Sequence, residues 1–156
     1  MKLHPVRTSA KAIILHQNKV LTIKKKHGND TFYVLPGGGQ NLNENLHETL
    51  ERECLEEVGA EIRIKNLVLV RDYISNNHEF AKEHPNVHQL ELMFECEILN
   101  LENLHVQTEL DEYQIGIEWI SVCDLENYKL YPLEIRSKIK EINNDNYSPV
   151  YLGDIN

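Results

Sequence analysis

Apolar and polar residues change rhythm several times along this chain of 156 residues, and each rhythm predicts an element. "SAKAIILHQNKVLTIKKK" sets two apolar-rich runs on either side of Gln17-Asn18, the pattern of two strands in a hairpin. "TFYVLP" predicts a short strand halted by Pro36, with a glycine loop after it. From Leu46 to Val58 the period lengthens. Leu46, Leu50, Cys54 and Val58 fall at i, i+4, i+8 and i+12, one apolar stripe of a helix. Asn45 stands at its N-cap with Glu48 three residues on, and Gly59 stands where a terminating glycine belongs. "EIRIKNLVLVRDYI" is strand-like, with a break expected near Asn66, and residues 76–86 read as a polar loop. "VHQLELMFECEIL" alternates, with Leu90, Leu92, Phe94, Cys96 and Ile98 on one face and Glu91, Met93, Glu95 and Glu97 on the other. A second polar loop reaches to about Gln114. "IGIEWISV" then predicts a late strand, and "LYPLEIRSKIKEI" a helix with Pro132 near its start.

Strands that come both in hairpins and across helices predict an α/β (α+β) fold, a mixed sheet with helices packed on its faces. The length suits one domain, taken as residues 1–143, with 144–156 as a loosely ordered tail. No apolar run reaches the length of a membrane span, and the N-terminal stretch lacks the apolar core of a signal peptide. The formal net charge of -9 argues against a nucleic-acid backbone as partner, because such binders carry a basic footprint. It leaves room for a small phosphorylated ligand held through metal ions. Cys54, Cys96 and Cys123 show no regular spacing, so reduced thiols and a cytoplasmic setting are expected.

Charge changes the picture most at the first helix. Glu53, Glu56 and Glu57 stand at i, i+3 and i+4, where like charges repel. Glutamate is a good helix former, and such a cluster is commonly just a solvated face. Converging on one patch, however, three carboxylates make a hard oxygen site of the type that Mg²⁺ or Mn²⁺ prefers. Gly37, Gly38 and Gly39 either form a tight turn or let the backbone approach a ligand closely. A glycine segment feeding a helix with clustered acids is a rarer conjunction than either feature alone.

The stretch Gly38, five residues, Glu44, seven residues, then Arg52-Glu53-Cys54-Leu55-Glu56-Glu57-Val58-Gly59-Ala60 resembles the Nudix box, G-x5-E-x7-R-E-U-x-E-E-x-G-U, where U is a bulky aliphatic residue. Every fixed position matches over 23 residues; Cys54 and Ala60 are smaller than usual at the two U positions, and Asn43 stands where many members have glycine. The resemblance implies a Nudix-type α/β/α sandwich and hydrolysis of a nucleoside diphosphate linked to another moiety, with Mg²⁺ or Mn²⁺. It implies Glu53, Glu56 and Glu57 as metal ligands. Arg52 would be an orienting partner to a glutamate, unless it forms only a surface ion pair. Glu44 would be an outer metal ligand or a loop anchor, and Gly37 to Gly39 would contact substrate.

Outside the box, Arg7 is a candidate phosphate contact and Tyr73 a candidate for stacking a base, along with Tyr33 and Phe80. Trp119 reads as core, and Glu118 is positioned to reach the site. A further carboxylate to activate water is sought among Glu91, Glu95 and Glu97 and among Glu109, Asp111 and Glu112; Glu112 is preferred, since mobile loops commonly complete such sites. His78 and His88 lack a second histidine at ligand spacing. In the family a proline about fifteen residues past the box suggests ADP-ribose, but Ser75 and Asn76 stand there. A tyrosine of the dinucleoside-polyphosphate type is also missing at 77 and 78, which leaves nucleoside triphosphates and nucleotide sugars. The partner expected is a small nucleotide, with a homodimer allowed. The rival from another class is a Nudix-like sensor domain that binds a nucleotide without hydrolysing it.

Overall fold

The computed structural model describes residues 4–105, 113–146 and 150–156. Its strands are β1 (Arg7–His16), β2 (Lys19–His27), β3 (Asp30–Val34), β4 (Gly37–Gly39), β5 (Ile62–Ile74), β6 (His88–Ile98), β7 (Gln114–Ser121), β8 (Leu130–Tyr131) and β9 (Tyr151–Asp154). The helices are α1 (Leu46–Val58) and α2 (Ile135–Asn143). The strands form a mixed sheet in the order β8-β3-β2-β1-β6-β5-β9, with β4 added to β1 and β7 to β2.

The hairpin turn lies at Gln17-Asn18, both with positive φ (48° and 59°), the geometry that matches the twist of the flanking strands. β1 and β2 then part. They pair only at Leu15 with Val20 and His16 with Lys19, while the earlier half of β1 pairs with β4 on one side and runs parallel to β6 on the other. The splayed strands leave a cleft between the two halves of the sheet.

Each face of the sheet packs its own core. On one, Leu50, Cys54 and Val58 of α1 meet Ala10, Ala12, Ile14, Phe94 and Cys96. On the other, Ile135, Ile139 and Ile142 of α2 meet Ile13, Leu69 and Met93. The expected α/β/α sandwich is therefore present. The small residues at the two U positions pack fully: Cys54 is 0% and Ala60 1% exposed. Trp119 packs against the α1-side core.

Three expectations are corrected. The glycine stretch is a strand, because Gly37, Gly38 and Gly39 pair antiparallel with Lys11, Ala10 and Ser9. The sequence 62–74 is one strand whose register shifts near Asn66, a bulge in place of a break. The tail is not loose over 151–154. β9 lies parallel to β5, and Asp154 accepts hydrogen bonds from the Ile74 N–H (3.0 Å) and the Asn77 side chain (2.8 Å).

Candidate active site

The first helix is fixed at both ends by local chemistry. Asn45 accepts a hydrogen bond from the Glu48 N–H (2.9 Å), and Glu48 accepts one from the Asn45 N–H (2.8 Å), which completes the capping box. Gly59 closes the other end at φ 66°, its N–H donating to the carbonyls of Cys54 and Leu55. With the apolar stripe on the sheet, Arg52, Glu53, Glu56 and Glu57 are directed along β4.

Arg52 organises this patch. Its Nε donates to Glu44 Oε1 at 2.6 Å and its Nη2 to Glu44 Oε2 at 3.0 Å and to the Gly39 carbonyl at 3.1 Å. Its Nη1 donates to Glu53 Oε1 at 2.9 Å and Glu56 Oε2 at 3.3 Å. One planar guanidinium thus binds the helix to the strand and to the loop between them. Both oxygens of Glu44 are thus engaged, and Oε2 also accepts from the Asn41 N–H (3.1 Å) and the Thr49 hydroxyl (3.0 Å). The Arg52 bonds hold the Glu44 carboxyl down at about 2, and Asn41 and Thr49 add to this against the opposing effect of burial. These bonds tie Glu44 to the helix and to the loop that enters it, the geometry of an anchor.

Glu53 rests its carboxylate directly on Gly38, where a Cβ would come within 2.5 Å of it. Glu57 accepts a hydrogen bond from the Gly37 N–H at 2.8 Å. Burial pushes the Glu57 carboxyl above its ordinary range, against the pull of Lys11 and of the Gly37 N–H. Lys11 in turn donates to the Gly37 carbonyl at 3.1 Å. Glu53 and Glu56 thus gather at Arg52 and Glu57 at Gly37. Among the described residues no three His, Cys, Asp or Glu side chains close on a single point. The three carboxylates still share one helix face beside one glycine strand, and all are hard oxygen donors.

Lys11 connects this patch to the cleft, which has a volume of about 730 Å³ and is lined by Lys11, Phe32, Tyr73, Phe80, Glu91 and Tyr131 among others. Tyr73 stands where a stacking residue was expected, though its ring already stacks on His78 (centroids 5.6 Å apart) and carries the Arg71 guanidinium at 5.0 Å. Arg7 lies over Gly39, where a Cβ would meet its Nη2 at 2.0 Å, and it lines a second groove together with Gln40, Glu44 and Gln89. Glu118 does not reach α1; it accepts from the Tyr33 hydroxyl at 3.1 Å and sits 3.8 Å from Lys24. Glu97 pairs with Arg63 and Glu95 with Lys65, away from the helix. Glu109, Asp111 and Glu112 lie outside the described residues.

Sequence reasoning missed Lys11 and Arg71, and it named Glu91 only as a candidate water-activating acid, without its partner. The available signal was one lysine inside the apolar run "SAKAIIL", and one arginine and one glutamate each in a strand otherwise read as amphipathic.

The NUDIX domain family model matches residues 5–140. The chain belongs to the Nudix family. It is a hydrolase of pyrophosphate bonds, and Nudix hydrolases generally use divalent metal ions and act on small nucleotide substrates. "Nucleoside triphosphatase NudI" of Klebsiella pneumoniae (strain 342) is 26% identical over 103 residues, which is 63% of this chain and 67% of that protein. A solved Nudix hydrolase from Nitrosomonas europaea superposes with a TM-score of 0.70 at 18% identity, covering 96% of this chain and 80% of that one. An ADP-ribose pyrophosphatase from Streptococcus suis superposes with a TM-score of 0.65 at 16% identity, covering 96% and 100%. At such identities these structures speak for the fold. No helix among the described residues is long and apolar enough to cross a membrane.

Proposed function

We propose that this Nudix hydrolase cleaves the pyrophosphate bond of a nucleoside diphosphate linked to another moiety, of the nucleoside-triphosphate or nucleotide-sugar type, with Mg²⁺ or Mn²⁺. One observation carries the reading: Glu53, Glu56 and Glu57 line one edge of the glycine strand, and Lys11, which bonds Gly37, opens from that strand into a cleft with aromatic walls. The first part suits a pyrophosphate and the second a nucleoside. The Klebsiella relative, named a nucleoside triphosphatase, favours the triphosphate over the sugar.

Within this reading Glu53, Glu56 and Glu57 hold the metal. The divalent ion, when bound, neutralises phosphate charge and lowers the pKa of water. Arg52 sets the direction of Glu53 and Glu56 while Glu44 sets that of Arg52. Gly37 to Gly39 keep the strand bare of side chains so that phosphate can approach, with Arg7 at the Gly39 end and Lys11 at the Gly37 end as cationic contacts. Tyr73 belongs to the nucleoside end, and Glu112 remains the proposed water-activating acid. The three cysteines are free thiols, which suits the cytoplasmic setting included in this reading.

The test is release of phosphate, pyrophosphate or nucleoside monophosphate from a panel of nucleoside triphosphates and nucleotide sugars, with and without Mg²⁺. Metal-dependent turnover of at least one triphosphate is expected. Tight nucleotide binding without turnover under any metal would replace the enzyme with the sensor reading.

A further inference from the structure

The cleft side of the sheet carries a polar row that the phosphate chemistry does not use. The register sets Ser9 of β1 beside Glu91 of β6, and Glu91 beside Arg71 of β5. Cross-strand partners point to the same side of a sheet, so the three side chains form one line across three strands. Glu91 is 5%, Arg71 6% and Ser9 2% exposed. Arg71 Nε donates to Glu91 Oε2 at 2.6 Å, and its Nη1 donates to the Ile155 carbonyl at 2.6 Å and to Asn156 Oδ1 at 3.4 Å. The Ser9 hydroxyl is buried without a partner.

Stability alone is a poor reason for such a row. A buried ion pair is often matched or bettered by apolar residues of the same volume. Its position offers a better one. Glu91 and Arg71 line the same cleft as Phe32, Phe80 and Tyr131. Those rings meet edge to face, with centroids 6.1 and 5.8 Å apart. Aromatic walls take a planar base, and buried charges can read its edge. Ser9 separates Glu91 from Gly39, so Glu91 lies two strands, or about 10 Å, from the glycine strand. That spacing suits a nucleotide with its base at the row and its phosphates at the glycines.

We propose that Glu91 selects the base, accepting the N1–H and 2-amino donors of guanine, with Arg71 as the positioning residue that holds its carboxylate; this rests on the nucleotide-hydrolase reading above. A carboxylate is acceptor-only, with room for several donors beyond the one Arg71 supplies. Guanine sets two N–H donors side by side on its pairing edge. Adenine and cytosine place a ring-nitrogen acceptor beside their amino group, and uracil and thymine flank one N–H with carbonyls. Those acceptors would face the carboxylate lone pair to lone pair, which is discrimination by repulsion.

The test compares GTP with inosine, adenosine, cytidine and uridine triphosphates on the wild-type protein, by steady-state kinetics and by calorimetric titration in Ca²⁺, where turnover is suppressed. Inosine differs from guanosine only in lacking the 2-amino group. Guanine is expected to lead adenine by roughly 5- to 150-fold in kcat/KM, the worth of one bidentate base contact, with inosine between them. Glu91→Gln keeps the shape but replaces one acceptor by a donor. It should reduce the guanine preference to a few-fold, through KM with kcat retained. Since disturbing a buried pair can unfold a protein, a thermal melt accompanies this variant, and the wild-type comparison stands without it. Equal kcat/KM for guanine, inosine and adenine, or a Glu91→Gln protein with the wild-type preference, overturns the proposal. If neither a triphosphate nor a nucleotide sugar is hydrolysed, the function proposed above fails separately. The titrations then decide base selection alone, and equal affinity for guanosine and inosine nucleotides overturns it.

Discussion

Replacing Gly38 by alanine should separate catalysis from folding. A Cβ at position 38 would stand 2.5 Å from Glu53 Cδ and 2.6 and 2.7 Å from its two oxygens. That is about 1 Å inside an ordinary van der Waals contact. Gly38 does not have positive φ, so alanine brings no backbone strain. The obstacle is the far end of a flexible side chain, which can rotate away. The rotation costs about 1 kcal/mol in rotamer strain and weakens the 2.9 Å bond between Arg52 and Glu53, a partly exposed contact of modest worth. A destabilisation of about 1–2 kcal/mol should lower Tm by roughly 2–8 °C for a chain of this size. The catalytic effect should be much larger, because moving a metal-binding carboxylate by about 1 Å can cost 10²-fold in rate. Gly37→Ala is the contrast. Its Cβ would lie 2.1 Å from the Ala10 carbonyl oxygen and 2.8 Å from Lys11 Cα, both backbone, at a φ of 135°. There the strand itself must move, and the fold should suffer. The assay is product release at saturating substrate and Mg²⁺, paired with thermal melts of both variants. A Gly38→Ala protein within three-fold of wild-type kcat, or one that melts as early as Gly37→Ala, refutes the placing of Glu53 in the metal site.

Glu57→Gln keeps an acceptor for the Gly37 N–H but removes a partly buried charge. Because burial raises the carboxyl's pKa in the folded state, Glu57 costs stability increasingly as pH rises from the ordinary carboxylate range through the raised value. The variant, with chelator present, should therefore melt above wild type at neutral pH and level with it near pH 4, while kcat collapses; a lower Tm at neutral pH contradicts this. Glu44 runs the other way: held at about 2, it contributes stability above the ordinary carboxylate range and loses it as pH falls towards 2. The gap in Tm between wild type and Glu44→Gln should thus be full at pH 6 and narrow steadily below pH 4.5; a constant gap would show that its charge is immaterial.

The helix of the site was legible because its determinants are local. Asn45, Glu48 and Gly59 fix its ends within a few residues, and the apolar stripe fixes its buried face. What was not legible depends on partners far away in sequence. Gly37 to Gly39 read as a loop because glycine is a poor strand former, yet the β1 backbone at Ala10 and Lys11 approaches so closely that only glycine fits at position 37. Arg71 and Glu91 are twenty positions apart, and each alone looks like a solvent-facing residue of an alternating strand. The segment "VYLGDIN" has the composition of a loose end, and its order comes from what it meets: Arg71 at the Ile155 carbonyl, and Asp72 at the Tyr151 hydroxyl. Lys11 has meaning only once β4 is known to lie beside it.

That last strand also acts as a guard. β5 is 13 residues long and would otherwise end the sheet with a row of unpaired N–H and C=O groups, a ready template for another chain. β9 covers the Val70 to Asp72 part of it. The Asp154 carboxylate then takes the Ile74 N–H beyond the end of the ladder, so a side chain satisfies a donor that a stray strand would otherwise seek. At the other end of the main strand path lies β8, only two residues long and too short to recruit much. The cover of this edge is thereby tied to the residues that follow it directly, Ile155 and Asn156, which brace Arg71 beneath the cleft, and a change made there for specificity would also bear on how well this edge is closed to another chain.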